Sequence, residues 1–417
     1  MAPTGDAYIS DWEDAWLLDG VRTPFTDLNG ALALISPIDL GIKVARSILM
    51  RSGTSPSDIG AVIAGCMAQA SYDAYMTPRH IGLYSGVPRV VPAYLLQRVC
   101  GTGVEVLSQA ADAVSLGRAD VVLCVGTESM SRNPIAAYTH RGGFRMGQVE
   151  FKDFLWEALI DPAADVTMGG TAENLAKRYE ISREDVDRFA SQSFDRALAA
   201  RDNGFLAGEI EPVISESFDI EGLRPRGIRL SRKINAVTED SHIRSSPPEV
   251  LAKIRPAFGG VQTGGNSSAV VDGAAAALVA SGRYIARHDK RPLAKIHASV
   301  AIGVDPDIMG IGPVPAIQRL LRHAGLSLDM IDRIEINEAF GAQVMACARE
   351  LGLDERRLNV NGGAIAIGHP LAATGIRLAT TVSRELMHQN MRYGIASACI
   401  GGGQGIAMLL ENPDHGA

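Results

Sequence analysis

At 417 residues, with 46% of them hydrophobic and a net charge of −7, the chain is long enough for more than one packed unit. It is too acidic overall for a general nucleic-acid binder, whose affinity rests on neutralising phosphates. Its longest apolar runs, such as Val121–Val125 and Ala274–Ala280, fall far short of the about 20 residues a membrane-spanning helix needs, so no membrane is expected. The amino end, Met1 to Asp14, is acidic and polar and lacks the pattern of a signal or transit peptide, which points to the cytoplasm. Five cysteines (Cys66, Cys100, Cys124, Cys347 and Cys399) are odd in number and widely spaced, so free thiols are expected, without a disulfide framework or zinc site.

In chain order, short apolar runs that read as strands occur at Ala15–Gly20, Gly60–Ala64, Val121–Val125, Arg333–Ile336 and Gly394–Ala398, with helical patterns between them. This alternation predicts an α/β fold with helices covering a sheet. The pattern repeats. Ser55 to Val62 resembles Ser327 to Ile334, each preceded by a helix and a glycine (Gly53, Gly325), with Ile59 and Ile331 lying 272 positions apart. Cys100-Gly101-Thr102-Gly103 opens a helical pattern with Val104, Leu107, Ala111 and Val114 on one face. Gly368-His369-Pro370 opens another with Leu371, Ile376, Ala379 and Val382 inward. Two related halves follow, each placing one reactive side chain on a turn that enters a helix. Between them, from about Asn133 to Pro256, charge, proline and glycine increase, and a basic stretch carries Arg224, Arg226, Arg229, Arg232 and Lys233. That texture reads as an insertion, and its charge alone reads as a solvated face.

Four positions invite chemistry. Cys100 sits at a helix entry, where unpaired N–H groups and the helix dipole favour a thiolate; a buried cysteine serving as a small apolar residue is the alternative. His369 lies among glycines that let backbone and substrate approach, and its imidazole can take a proton from a thiol or donate to a thioester oxygen; a helix-capping histidine is the competing reading. Cys399 ends a strand and meets Gly401-Gly402-Gly403, a turn whose N–H groups can point into a site, or an incidental cysteine at a hairpin. Asn337, in Asn337-Glu338-Ala339-Phe340, follows the strand Arg333–Ile336, where α/β sites gather, or forms a turn.

Taken as a set, these blocks resemble the thiolase family over essentially the whole chain, from Gly20-Val21-Arg22-Thr23-Pro24 to Cys399-Ile400-Gly401-Gly402-Gly403-Gln404-Gly405. The most specific matches are Asn337-Glu338-Ala339-Phe340, Gly363 to Pro370 ending in Gly-His-Pro, and Cys399-x-Gly-Gly-Gly. The resemblance implies two pseudo-symmetric halves in a five-layer αβαβα arrangement, with the first half at 15–132 and 257–290, a loop domain at 133–256 and the second half at 291–413. It implies an acyltransferase that works on acyl-CoA with coenzyme A as cosubstrate and no permanently bound cofactor or metal. Cys100 would carry the acyl group, His369 would take its proton, and Cys399 would serve as acid and base at the α-carbon. His369, with a water held by Asn337, would meet the enolate oxygen, and the N–H groups of Cys100 and Gly401 would meet the acyl-enzyme oxygen. Ser268, Met168 and Phe340 would line the pantetheine tunnel, and Arg244 with the Arg224–Lys233 stretch would meet the phosphates. Tyr138 to Gly147 resembles a tetramerisation loop, so a homotetramer is expected.

Some positions depart from the usual family pattern. Gln97 and Thr102 flank the nucleophile where many relatives have Asn and Ser, Thr167 stands in place of a His before Met168, and Val270-Val271-Asp272 replaces Ile/Leu-Asn-Asp. The longer amide and the added methyl are expected to reshape the acyl pocket. A decarboxylating ketoacyl synthase would use two histidines where this chain has Cys399. A sterol-carrier-type thiolase would lack the Asn337-Glu338 block, and a silent acyl-CoA-binding subunit would have lost the reactive set.

Overall fold

The computed structural model describes residues 7–68, 74–138 and 140–416. Nine strands form the framework: β1 Trp16–Arg22, β2 Ala61–Gly65, β3 Ala93–Leu96, β4 Val121–Ser129, β5 Val271–Ala280, β6 Ala294–Gly303, β7 Arg333–Ile336, β8 Tyr393–Ile400 and β9 Gln404–Glu411. The main helices are α1 Pro37–Ser52, α2 Thr102–Ser115, α3 Met168–Arg178, α4 Arg183–Asp202, α5 Pro313–Ala324, α6 Gly341–Leu351 and α7 Leu371–His388. The five strand expectations are met, each within a few residues of its ends.

The repeat is visible in the topology. In the first half the order is β3-β2-β4-β5-β1; in the second it is β7-β8-β9-β6, with β3/β2, β2/β4 and β7/β8 parallel and the remaining neighbours antiparallel. The place of β3 is taken in the second half by a single parallel bridge from Ile334 to Leu358. Both α1 and α5 end on a left-handed glycine, Gly53 (φ 60°) and Gly325 (φ 67°), which frees the last carbonyls to be capped by backbone N–H groups. The two sheets meet at their first strands, where Leu17 pairs with Ala294 and Trp16 with Lys295. Among the described residues, no strand within 133–256 joins this main sheet.

Strand β5 shows why the layers hold. Ala274, Ala276, Leu278 and Ala280 pack on the α1 side, whereas Val271, Ala275, Ala277 and Val279 join the core that contains α2 and α7. A strand buried on both faces needs a continuous apolar run, and β4 splits its side chains in the same way. Helix α7 packs against strands of both halves and against α2. The order is therefore helix, sheet, the α2/α7 pair, sheet, helix, which is the expected five-layer fold.

The central pair touches through glycines. A Cβ on Gly103 would lie 2.7 Å from the backbone N of Gly375, and one on Gly375 would lie 2.7 Å from the carbonyl carbon of Gly103. Gly103 and Gly375 are 272 positions apart, so they are equivalent positions of the two halves. This crossing brings together the amino ends of the helices that follow Cys100 and His369.

Arg22 anchors the intervening segment to the framework. Fully buried, its guanidinium binds Asp240 at 2.6 and 2.8 Å and Glu209 at 2.8 Å, while Glu209 also accepts from Thr381 on α7. A buried arginine is tolerated only with its charge matched in this way.

Candidate active site

Cys100 lies in a tight turn between β3 and α2. Val99 before it has φ +44°, unusual for a β-branched residue. The turn is closed by Gly101 N–H to Arg98 O at 2.9 Å and by the Thr102 hydroxyl, which accepts from Arg98 N–H at 2.9 Å and donates to Val99 O at 2.6 Å. The Thr102 methyl meets Gly65, where any Cβ would collide with it. Thr102 therefore does not reshape an acyl pocket: its side chain is fully buried in the turn. Nor does Gln97, which is exposed and lines a separate cavity of 320 Å³ with Tyr94 and Gln404.

Two backbone N–H groups, those of Gly401 and Cys100 itself, hydrogen-bond the Cys100 sulfur and lower its pKa. Burial outweighs them and pushes the thiol up to about 11. This corrects the expectation that the helix entry holds a resting thiolate. Burial also raises the Cys399 thiol well above its usual range, and the Cys100 charge adds to the effect. The side chains of Met168 and Val99 flank Gly401, with Met168 Sδ 3.1 Å from where a Cβ would stand.

His369 is held on three sides. Its N–H donates to Ala269 O at 3.0 Å, Nδ1 lies 2.6 Å from Thr374 Oγ1, and Nε2 lies 3.3 Å from Asn337 Nδ2. The single hydroxyl proton of Thr374 is directed to Pro370 O at 3.2 Å, so Nδ1 must be the donor and Nε2 carries the lone pair. Burial, with the Arg377 charge secondary, lowers the imidazole pKa to about 3, so the ring is neutral at physiological pH. Asn337 is fully buried, with its N–H on Ser397 O at 2.9 Å and its Oδ1 without a protein partner.

The low imidazole pKa sets a stability test. The unfolded chain protonates its histidines near 6.5 and the folded one does not protonate His369 until about pH 3. Below 6.5 the unfolded state therefore binds more protons, and the contribution of this group to stability falls as pH drops toward 3. Thermal unfolding should show His369→Gln losing less stability than the parent between pH 7.5 and pH 5. An equal loss would refute the buried neutral imidazole.

Two buried carboxylates hold the surrounding backbone. Glu128 accepts from the N–H groups of Met67 and Ala68, each at 3.0 Å, and of Ala372 at 3.2 Å. Glu338 accepts from Ser193 Oγ at 2.6 Å, Asn359 Nδ2 at 2.9 Å and Ile365 N–H at 3.2 Å. Sequence reading missed Thr374, although its place five residues after His369, in the first turn of α7, was a usable signal. It missed the part played by Glu128, whose partners come from two separate segments, Cys66–Ala68 and Ala372.

The remaining expected residues divide. Met168 packs with Cys399, Met309 and Ala339, and Phe340 packs against that group. Phe340 also sits edge-to-face on Phe258 at 6.0 Å, and Ser268 N–H donates to Ala339 O at 2.9 Å. These three thus gather beside Cys399. Arg244 is exposed elsewhere, stacked over Phe194 at 5.3 Å and 3.1 Å from His242. Arg224, Arg226 and Arg229 line a cleft of 1010 Å³ together with Arg132, and Arg226 is paired with Asp39 at 2.8 Å. Arg232 and Lys233 are exposed. Thr167 caps α3 by accepting from Gly170 N–H at 3.0 Å, Val271 packs on Gly368, and Asp272 binds Ser131 N–H at 2.8 Å. Within Tyr138–Gly147, Thr139 and the His140 side chain lie outside the described residues, as do residues 1–6.

The fold and this grouping define an α/β protein with two thiols, a neutral imidazole and a buried amide gathered around the amino ends of α2 and α7. A family model described as thiolase, N-terminal domain matches residues 16–283, and one described as thiolase, C-terminal domain matches residues 290–412. The chain belongs to the thiolase family, and it is an acyltransferase. It is 40% identical over 395 residues to a mitochondrial 3-ketoacyl-CoA thiolase from Bos taurus, covering 94% of this chain and 96% of that one. It is also 40% identical over 409 residues to a beta-ketoadipyl-CoA thiolase from Acinetobacter baylyi, covering 95% and 99%. The crystal structure of human mitochondrial 3-ketoacyl-CoA thiolase in complex with CoA superposes with a TM-score of 0.90 at 39% identity, covering 96% of this chain and 98% of that one. Among the described residues, no helix is long and apolar enough to cross a membrane.

Proposed function

We propose that this thiolase cleaves 3-ketoacyl-CoA with coenzyme A, and runs the reverse condensation, through an acyl group carried on Cys100. The observation that carries the reading is the pair of N–H groups from Cys100 and Gly401 converging on the Cys100 sulfur, where a thioester oxygen formed on that sulfur would meet them. In cleavage, Cys100 Sγ attacks the 3-keto carbonyl while its proton passes to His369 Nε2. With the thiol raised and the imidazole lowered, a resting ion pair is disfavoured, so proton transfer accompanies C–S bond formation. The C2–C3 bond breaks, its electron pair forms the enolate of the departing acetyl-CoA, and Cys399 protonates the α-carbon. Coenzyme A then takes the acyl group from Cys100.

His369, with a water held by Asn337, is assigned to the enolate oxygen. Ser268, Met168 and Phe340 are assigned to the pantetheine arm, and Arg244 to a phosphate. A homotetramer belongs to the same reading, supported by the exposed apolar side chains of Ile135, Tyr138, Phe144 and Met146 on one surface segment.

Intact-mass spectrometry after mixing with a 3-ketoacyl-CoA tests the proposal. A gain of one acyl group, absent in Cys100→Ala, is expected. No adduct despite demonstrated coenzyme A binding would overturn it.

A further inference from the structure

The 1010 Å³ cleft takes no part in the proposed chemistry. Its lining residues Tyr84 and Ile228 belong to the core on the α1 side of the first sheet, whereas α2 and α7, which follow Cys100 and His369, pack on the other face of that sheet. None of its lining residues joins the groups packed around Cys100 or Cys399, and Arg244 is not among them.

Charge is unevenly matched along its walls. Arg132, Arg224, Arg226 and Arg229 face it, with Asp39 and Glu216 as the carboxylates. Asp39 is taken up by Arg226 at 2.8 Å and Glu216 by Lys43 at 2.9 Å. Among the described residues, no carboxylate pairs with Arg132, Arg224 or Arg229. In a chain of net charge −7, three unmatched guanidinium groups in one concavity focus a local positive potential. The walls are also fixed. Arg132 Nη1 donates to Leu34 O at 3.0 Å, while its Nε is buried without a protein acceptor. A buried guanidinium N–H is costly to leave unpaired, so this one calls for an acceptor from outside the chain. The Tyr84 hydroxyl donates to Arg224 O at 2.6 Å, Arg226 lies over the Tyr84 ring at 5.9 Å, and the segment Arg226–Ile228 is paired with Glu216–Phe218.

We infer that this cleft is a second ligand site, distinct from that of the cosubstrate, for an anion carrying two or more linked phosphates, such as a nucleoside diphosphate or an inorganic polyphosphate. Guanidinium groups present several N–H donors in a plane that matches phosphate oxygens. Arg224 and Arg229 stand beyond opposite ends of the segment Arg226–Ile228, so the cations are distributed along the cleft, which suits a chain of phosphates better than a single carboxylate. The volume of 1010 Å³ is at the upper end of the range for small-molecule pockets, about 300–1,000 Å³, and accommodates a nucleotide.

The test is isothermal titration calorimetry of ADP and of inorganic tripolyphosphate into the full chain held saturated with coenzyme A, so that the cosubstrate site is already filled. Binding that weakens as salt rises is expected, and the double variant Arg224→Gln/Arg229→Gln should weaken it at least about 10-fold. Both side chains are exposed, and thermal unfolding checks that the variant is folded. Tighter binding of ADP than of tripolyphosphate would support a nucleotide as the occupant, and equal affinities would support the phosphate chain alone. No binding of either at millimolar concentration would overturn the inference. So would binding that disappears when coenzyme A is present, or that is lost in Arg244→Ala and kept in the double variant, since either places the anion at the cosubstrate site. None of these outcomes touches the acyl-enzyme on Cys100, which the mass measurement tests separately.

Discussion

Cys399→Ala is expected to lose thiolytic cleavage by about 10²- to 10⁴-fold, the usual worth of a positioned general acid, while continuing to exchange acyl groups between coenzyme A thioesters. The separation follows from the geometry. Both N–H groups that meet the Cys100 sulfur are backbone groups of Gly401 and Cys100, and the His369 contacts run to Thr374, Asn337 and Ala269. None passes through the Cys399 side chain. Acyl transfer onto and off Cys100 therefore keeps its machinery, whereas making or breaking the carbon–carbon bond loses the group that moves the α-proton. The assay pairs 3-ketoacyl-CoA cleavage with exchange of labelled coenzyme A into acetyl-CoA, and thermal unfolding serves as a folding control. Equal losses in both reactions would show that Cys399 shapes the site as a whole and would remove its assignment as the α-carbon acid and base.

Gly375→Val should cost about 3 kcal/mol or more of stability, at or beyond the upper end of overpacking penalties, because the new atoms meet backbone and no side chain can yield. A Cβ there would press on Gly103 and Val104, in the helix that follows Cys100. Parting α2 from α7 would also part the two turns that hold Cys100 and His369, so activity in any folded fraction should fall with stability. Gly264→Ala is a suitable control, since a Cβ at Gly264 meets nothing within 4 Å. Matching melting temperatures for Gly375→Val and Gly264→Ala would refute the glycine crossing as the element that sets the site.

Much of this was legible in the chain itself. The repeat between Ile59 and Ile331 appears as two sheets of matching order, and the apolar faces proposed for the helices after Cys100 and His369 are buried in full. What escaped sequence reading was the direction in which individual side chains point. Thr102 looked like a pocket residue because it neighbours Cys100, yet its hydroxyl closes the turn and its methyl meets Gly65. The basic stretch read as one unit is divided by the tertiary structure, with Arg226 paired to Asp39 and Arg232 and Lys233 exposed.

The sequence by itself determined the two-half plan and marked the candidate reactive positions. Turn and helix-entry geometry is imposed over a few residues by glycine, proline and hydrogen bonds between near neighbours, and apolar periodicity records which face each element buries. The tertiary structure alone decided the protonation states. Whether Cys100 rests as a thiol, and whether His369 is neutral with its lone pair on Nε2, depends on water being excluded by distant segments and on Asn337 and Gly401 arriving from elsewhere in the fold, with only Thr374 a near neighbour in the chain. Desolvation and long-range hydrogen bonds belong to no single stretch of chain.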